Sequence, residues 1–137
     1  MRIKSDSRGF TLIELTFVVM IIGLLVAITI PNYVKFTKRA KEAVVQENMH
    51  TIQLALEAFS VDRLGVYPVA ADEADLLLLM PQGQYPDNPF TKLPTVVVWE
   101  ADPVDQGSIG IINIPGGGYI IRGYGASGLL DDMASGN

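Results

Sequence analysis

The fold is decided by the stretch Arg8-Gly9-Phe10-Thr11-Leu12-Ile13-Glu14 and by the apolar run that continues from it to Ile30. The 21 residues from Phe10 to Ile30 contain one charged side chain, that of Glu14. A helix of this length extends about 31 Å, which matches the hydrocarbon thickness of a bilayer. The sequence therefore predicts a membrane-spanning helix that carries a single acid.

Glu14 needs a partner, because a carboxylate inside an apolar span costs about 2.5–3.5 kcal/mol. The apolar run contains no cation, and the nearest one would be a free α-amino group at Phe10, created by a cut after Gly9. In a bundle of helices, that amine would pair with the carboxylate of a neighbour and set the axial register. A second interpretation stays open, since Thr11 and Glu14 also fit the S/T-x-x-E capping box of a helix start. The two roles are compatible.

The segment Gly9-Phe10-Thr11-Leu12-Ile13-Glu14, with a short basic leader before it and an apolar helix after it, resembles the class III signal of type IV pilins and type II secretion pseudopilins. The resemblance implies that a prepilin peptidase cuts between Gly9 and Phe10 and methylates Phe10. It also implies that Phe10, Thr11 and Glu14 set the register of a helical filament, in which Glu14 neutralises the N-terminus of a neighbouring subunit.

A break is expected in the second half of the span, between Gly23 and Pro31. Proline removes the hydrogen bond to the carbonyl of Ala27 and crowds that residue, so the helix should bend or open there. The resemblance implies that the same stretch loses helical order in the filament. The alternative is a simple kink in a membrane helix.

Two other interpretations of the N-terminal segment compete with this one. A secretory signal peptide would end in small residues, but Leu25-Val26-Ala27 has a large residue where a small one is needed. An uncleaved single-span anchor of a binding domain explains the hydropathy equally well, but it gives no reason for Glu14 or for Gly9. The anchored binding domain therefore remains as an alternative of a different class.

Charge is divided unevenly along the chain. The leader, residues 1–9, has three cations and one acid, a net charge of +2, whereas the chain from Glu42 onward has 13 acids and three cations, a net charge of −10. Because basic flanks stay in the cytoplasm, the acidic part is expected outside. We expect a single-pass precursor in the cytoplasmic membrane and then an extracellular filament. Direct nucleic-acid binding is not expected, because the acidic part would repel phosphates.

The second half of the helix is amphipathic and predicts an α+β fold. An apolar stripe repeats at steps of four and three, and it consists of Val45, Met49, Ile52, Leu56 and Phe59. The helix should end near Leu64, before Gly65. Three β-rich segments, 95–100, 108–114 and 119–124, predict an antiparallel meander of three or four strands that covers the stripe. This arrangement is the pilin fold that the resemblance implies.

The chain is expected to divide into six consecutive segments. These are the leader 1–9, the apolar helix 10–31, the amphipathic helix half 32–64, a connecting loop with a short helix 65–94, the antiparallel sheet 95–125 and a C-terminal tail 126–137. Within the connecting loop, the short helix is predicted over 71–80. The stretch Tyr85-Pro86-Asp87-Asn88-Pro89-Phe90 resembles a turn of several cysteine-free pilins and of major pseudopilins, and a proline-pinned surface loop is the alternative.

Acid pairs offer the candidate metal ligands. Asp102 with Asp105, and Asp131 with Asp132, are weak candidates for calcium, which takes six to eight oxygens. The major pseudopilins of the resembled family hold calcium near their C-terminus, but Ser127-Gly128 stands here where their Asp-Gly supplies a carboxylate. We therefore expect no bound cofactor, with calcium as the one candidate.

Catalytic and disulfide chemistry lack their residues. The chain has no cysteine, so the disulfide that closes the C-terminal loop of many type IV pilins is excluded. No nucleophile, base and orienting group can be assembled around a single histidine, and we expect no enzyme. The predicted function is a structural subunit of a type IV pilus-like filament, with a type II secretion pseudopilin as the alternative. The implied partners are identical subunits, the cytoplasmic membrane, a prepilin peptidase and a pilus or secretion assembly platform.

Overall fold

The computed structural model of the chain describes residues 9–135, apart from the side chain of Ser135. The fold divides into two compact units, of which the first ends at Thr37 and the second begins at Lys38. One helix, α1 (Leu12–Asp62), contributes to both units. Residues 1–8 of the leader lie outside the described residues.

The end of α1 follows from two residues with left-handed backbone conformation. Leu64 has a φ of 57° and Gly65 a φ of 90°. The N–H of Gly65 donates to the carbonyl of Ser60 at 2.8 Å, which closes the last turn in the way glycine commonly does. The helix ends at Asp62, two residues before the predicted position.

Pro31 lies inside α1, and the helix runs through it without interruption. The single chain therefore does not open between Gly23 and Pro31, and the bend expected there stays a prediction. One missing N–H removes only one bond of the helical ladder, and the flanking turns remain in place. Loss of helical order in a filament stays a prediction.

The connecting segment holds the predicted short helix, in a shorter form. A 3₁₀ turn over Ala70–Asp72 leads into α2 (Glu73–Leu78). A second 3₁₀ turn follows over Pro81–Gly83.

The sheet has four strands in the spatial order β1-β2-β3-β4, and their bounds are β1 (Val97–Trp99), β2 (Ile109–Asn113), β3 (Tyr119–Gly123) and β4 (Met133–Ser135). The pair β2–β3 is antiparallel, as predicted, and the pair β3–β4 is antiparallel as well. The pair β1–β2 is parallel, so the sheet is mixed and the prediction of a wholly antiparallel meander is wrong at this pair. The α+β class is confirmed.

The connection between β1 and β2 explains the parallel pair. A hairpin would need a tight turn after Trp99, but the chain instead passes over β2, where the carbonyl of Ala101 and the buried Pro103 cover Gly110. A side chain at Gly110 would meet the Ala101 oxygen at 2.5 Å, so glycine permits this crossing. This crossing brings the chain back to the end of the sheet where β1 begins. β2 therefore runs in the same direction as β1.

The fourth strand lies in the segment 126–137, for which the sequence predicts a tail, so that prediction is wrong at Met133–Ser135. The strand extends the sheet because the chain stays paired with β3 after the turn. The N–H of Leu130 donates to the carbonyl of Gly123 at 2.8 Å, and Ile121 then pairs with Met133.

The stripe on α1 forms one side of the core of the second unit. Its five residues, Val45, Met49, Ile52, Leu56 and Phe59, are between 0% and 3% exposed. The facing side chains come from β2 and β3, and Ile109, Ile111, Tyr119 and Ile121 are fully buried. At Gly123 the contact between β3 and α1 is so close that a Cβ would lie 2.6 Å from Met49 Sδ and 2.9 Å from Val45 Cγ1.

This close approach predicts that Gly123→Ala lowers the free energy of unfolding by about 1–3 kcal/mol, because the added methyl group overpacks the core. Urea unfolding of the full chain in detergent, followed by the fluorescence of Trp99, measures the effect. Gly128→Ala is the matched control, since no atom lies within 4 Å of a Cβ at Gly128. Equal stabilities of the two variants would contradict the packing described here.

Candidate functional site

The first unit leaves its apolar side chains uncovered. The large hydrophobic residues from Leu12 to Ile30 are between 44% and 82% exposed. Among the described residues, α1 is the one helix that is long and apolar enough to cross a membrane. Contiguous apolar patches of this extent are rare on soluble monomers and mark surfaces that contact lipid or other chains. This surface is the candidate functional site.

Glu14 caps the start of α1. Its Oε2 accepts a hydrogen bond from the N–H of Thr11 at 2.9 Å and another from the Thr11 hydroxyl at 2.8 Å. The N–H of Glu14 donates in return to Thr11 Oγ1 at 3.3 Å. The capping-box arrangement is therefore present in the single chain. Within the described residues, Oε1 of Glu14 accepts no hydrogen bond, so one oxygen remains for a partner outside the chain.

Gly9 and Phe10 precede the helix. Both residues are exposed, Phe10 at 83%, and α1 begins only at Leu12. The peptide bond between them therefore lies in a segment without secondary structure, which is the kind of segment that proteases cut. Gly23 has no atom within 4 Å of the position of a Cβ, so nothing in the single chain requires glycine there.

Two of the four candidate calcium ligands share an arginine. Nη1 of Arg122 donates to Asp102 Oδ1 at 2.7 Å, and Nε and Nη2 donate to the two oxygens of Asp132 at 2.9 Å and 3.0 Å. These hydrogen bonds raise the pKa of the Arg122 guanidinium. Asp105 and Asp131 are exposed and form no ion pair within the described residues.

This arrangement does not fit a calcium ion. Calcium needs six to eight oxygens, and no group of three or more acidic, histidine or cysteine side chains in the described part of the chain could hold a metal. The positive charge between Asp102 and Asp132 comes from Arg122 instead. Arg122 was missed in the sequence, although it is the one charged residue of β3, in which Tyr119, Ile121 and Gly123 point to the core.

Loss of this guanidinium is expected to loosen β4. In Arg122→Gln, the amides of Met133 and Ala134 should exchange hydrogen faster, and high salt should reduce the difference from the native chain because exposed ion pairs are screened. Lys92→Gln is the control, since Lys92 is exposed and has no ion pair in the described part of the chain. Hydrogen exchange read by mass spectrometry measures both variants. A rise in the melting temperature of the native chain on adding calcium would contradict this reading.

Two tyrosines, the buried Tyr119 and the half-buried Tyr67, join α1 to the rest of the second unit. The hydroxyl of Tyr119 donates to Glu57 Oε1 at 2.7 Å, and the hydroxyl of Tyr67 donates to Oε2 at 3.3 Å. These partners lie 62 and 10 residues from Glu57 in the sequence. The hydroxyl of a third tyrosine, Tyr85, donates to the carboxylate of Glu73 at 3.1 Å. Burial of this hydroxyl and the negative charge of Glu73 raise its pKa. These contacts are structural.

A family model described as the prokaryotic N-terminal methylation motif matches residues 4–30. The match covers the leader from Lys4 onward, the bond between Gly9 and Phe10, Glu14 and the whole exposed apolar run. The candidate site and the matched motif are therefore the same part of the chain.

Three relatives show how far the similarity extends. The type IV major pilin protein PilA of Myxococcus xanthus is 47% identical over 58 residues, which cover 42% of this chain and 26% of the relative. The type II secretion system core protein G of Pseudomonas aeruginosa is 33% identical over 80 residues, or 58% of this chain and 56% of the relative. The competence protein ComGC of Bacillus subtilis is 33% identical over 67 residues, or 49% of this chain and 68% of the relative.

The chain thus spans from about a quarter to just over half of the first relatives it matches, which are PilA of Myxococcus xanthus at 26%, a Thermus thermophilus narrow pilus component at 52% and protein G at 56%. No solved structure matches it significantly.

Proposed function

The chain belongs to the family of type IV pilins and type II secretion pseudopilins, and we propose that it is the structural subunit of a type IV pilus-like filament. In this proposal the subunit is held in the cytoplasmic membrane, cut between Gly9 and Phe10, methylated at Phe10 and assembled through its apolar helix. Its role is structural rather than catalytic.

The exposed apolar surface from Leu12 to Ile30 carries this proposal. A side chain of this kind contributes about 1.5–3 kcal/mol when it is buried, so a chain outside the bilayer is strongly driven to cover the surface. Lipid covers it in the precursor, and the same segments of other subunits cover it in the filament. The methylation motif that coincides with this surface favours filament assembly over a permanent anchor.

Glu14 sets the axial register in the proposed filament. Its Oε2 is engaged by Thr11, and its Oε1 is left to accept a hydrogen bond from the methylated amine of a neighbouring Phe10. A charge-assisted pair in an apolar filament core is strongly directional, because each unpaired partner is costly there. The pair therefore selects one axial offset between helices, and burial of the helices supplies most of the affinity.

The proposed partners follow from this route. A prepilin peptidase removes the leader, a pilus or secretion platform extracts the subunit from the membrane, and identical subunits surround it in an extracellular filament. The net charge of −10 from Glu42 onward keeps such a polymer soluble and gives no surface for nucleic-acid phosphates.

A pseudopilin of a type II secretion system is the second candidate function. The observation that favours it is the length of the similarity to protein G, which extends over 80 residues and reaches beyond the apolar segment. Deletion of the gene separates the two candidates. Loss of surface filaments supports the pilus, and retention of secreted enzymes in the periplasm supports the pseudopilus.

The first prediction of this proposal concerns the N-terminus of the mature protein. We expect chains isolated from cells to begin at Phe10 and to carry one methyl group on its amine, and intact-mass and N-terminal peptide analysis measure both features. The native chain from cells that lack prepilin peptidase is the control and should retain the leader. A mature protein that keeps Met1 would support the uncleaved membrane-anchored binding domain instead.

The second prediction separates the two roles of Glu14. Glu14→Gln keeps an oxygen for the Thr11 bonds but removes the negative charge, so the neighbouring amine is left unpaired. We expect filament yield to fall more than about tenfold, the factor that corresponds to 1.4 kcal/mol, while the amount of processed subunit in the membrane is unchanged. Filament yield is measured by shearing and electron microscopy.

Glu47→Gln is the matched control for this experiment, because Glu47 is an exposed acid on the same helix outside the apolar run. Its filament yield should equal that of the native chain. Normal yield for Glu14→Gln would show that the carboxylate serves only as a helix cap.

A further inference from the structure

A rigid loop presents an exposed leucine and an exposed lysine at one end of the second unit. We call residues 87–94 the Asn88 loop, because Asn88 is 4% exposed and organises it. The N–H of Asn88 donates to the carbonyl of Leu93 at 2.8 Å, and its carbonyl accepts the N–H of Lys92 at 2.9 Å. The side chain of Asn88 also donates to the carbonyl of Gln106 at 2.8 Å.

The tip of the Asn88 loop is Lys92-Leu93. Leu93 is 65% exposed although a large apolar side chain gains by burial, and Lys92 adopts a left-handed φ of 62°. Gly107 packs directly against the side chain of Asn88, and any Cβ at this position would collide with that side chain. The hydrogen bonds of Asn88 thus hold the exposed side chain of Leu93 in place at the surface.

A groove lies at the opposite end of the same unit. We call it the apolar groove, and it has a volume of about 320 Å³ and is lined mainly by Val66, Tyr67, Val69 and Ile114, with Asn113 at its wall. Val66 is 63% exposed, Val69 48% and Ile114 39%.

The two features are separated along α1. The Asn88 loop is fixed at the Lys41 end, where the ammonium of Lys41 lies 5.0 Å from the centre of the Phe90 ring. The apolar groove begins at Gly65, just beyond Asp62. The loop also contacts α1 at Asn48, whose side-chain amide donates to the carbonyl of Asp87 at 2.9 Å. The 14 residue steps from Asn48 to Asp62 correspond to about 21 Å of helix, so the loop does not reach the groove of its own chain.

We propose that the tip of the Asn88 loop docks into the apolar groove of a second copy of this chain. The inference rests on the proposed function, because a contact between different surfaces at opposite ends of a subunit repeats without closing and generates a helical polymer. It assigns the contacts between exposed units, whereas the apolar helix and Glu14 assign those of the filament core.

Charge supports a second copy as the occupant. Lys92 beside Leu93 carries a positive charge with no ion pair within the described residues. Asp62, one turn before Gly65, is exposed and equally unpaired in the described part of the chain, whereas Arg63 is already paired with Asp75 at 2.8 Å. The apolar tip therefore carries a cation, and an exposed acid lies three residues before Gly65, the first residue that lines the groove. Opposite charges of this kind fix the orientation of a docked pair.

Cysteine cross-linking tests the contact directly, because the native chain has no cysteine. Filaments of the double variant Leu93→Cys and Val66→Cys should give, after mild oxidation, a ladder of dimers, trimers and longer multimers on a non-reducing denaturing gel. A disulfide needs Cα atoms within about 7 Å, so the two positions cannot bond within one chain. Each single variant should give no species longer than a dimer.

The matched control keeps Val66→Cys and moves the second cysteine to Leu129, which is 50% exposed. Leu129 pairs with Tyr124, close to Ala126, whose N–H donates to Glu42, so it lies at the same end as the Asn88 loop. This pair should give no ladder. Lys92→Asp should lower the ladder yield of the test pair several-fold, and adding Asp62→Lys should restore it.

The outcomes separate this inference from the proposed function. If the test pair forms normal filaments but gives no ladder, the docking contact is wrong and the proposed function as a filament subunit is unaffected. Absence of filaments from the test pair alone, with normal filaments from the control pair, supports the contact. Absence of filaments and of N-terminal processing in the native chain overturns the proposed function, and the inference with it.

Discussion

The apolar surface that the folded chain leaves uncovered between Leu12 and Ile30 is the constraint on which the rest of this structure depends. Fourteen large hydrophobic side chains lie there with at least 44% of their surface exposed. At about 1.5–3 kcal/mol each, their burial outweighs any single polar contact in the molecule. The second unit buries its own core and needs no help from this segment, so the segment is available for contacts outside the chain.

Glu14 shows how one side chain serves two states. In the single chain its carboxylate completes the first turn of α1, with both bonds from Thr11 on the same oxygen. The second oxygen has no partner among the described residues, so a contact from outside need not break the cap. With a weaker cap, the N-terminal turn of α1 would fray at the residues that set the axial register between subunits. The cap therefore prepares the geometry in which a neighbour is recognised.

The sequence predicted those features that depend on local periodicity. The apolar span and the stripe from Val45 to Phe59 could be read directly, because both are repeats along one helix. The parallel pairing of β1 was not predictable, because it depends on the path of the connection over Gly110. Arg122 was missed for a similar reason, since its partners lie 20 and 10 residues away and a strand pattern does not identify them.

The union of α1 with the last strands has a consequence for the order of events during synthesis. Glu57 meets Tyr119 across 62 residues, and Glu42 meets Ala126 across 84. The apolar stripe of α1 is synthesised well before the strands that cover it. Its side chains therefore stay exposed on the nascent chain until those strands are complete. Late closure of this kind slows folding and invites premature association. A chaperone, or a nearby bilayer, that covers the stripe until β3 is synthesised would protect the nascent chain from premature association.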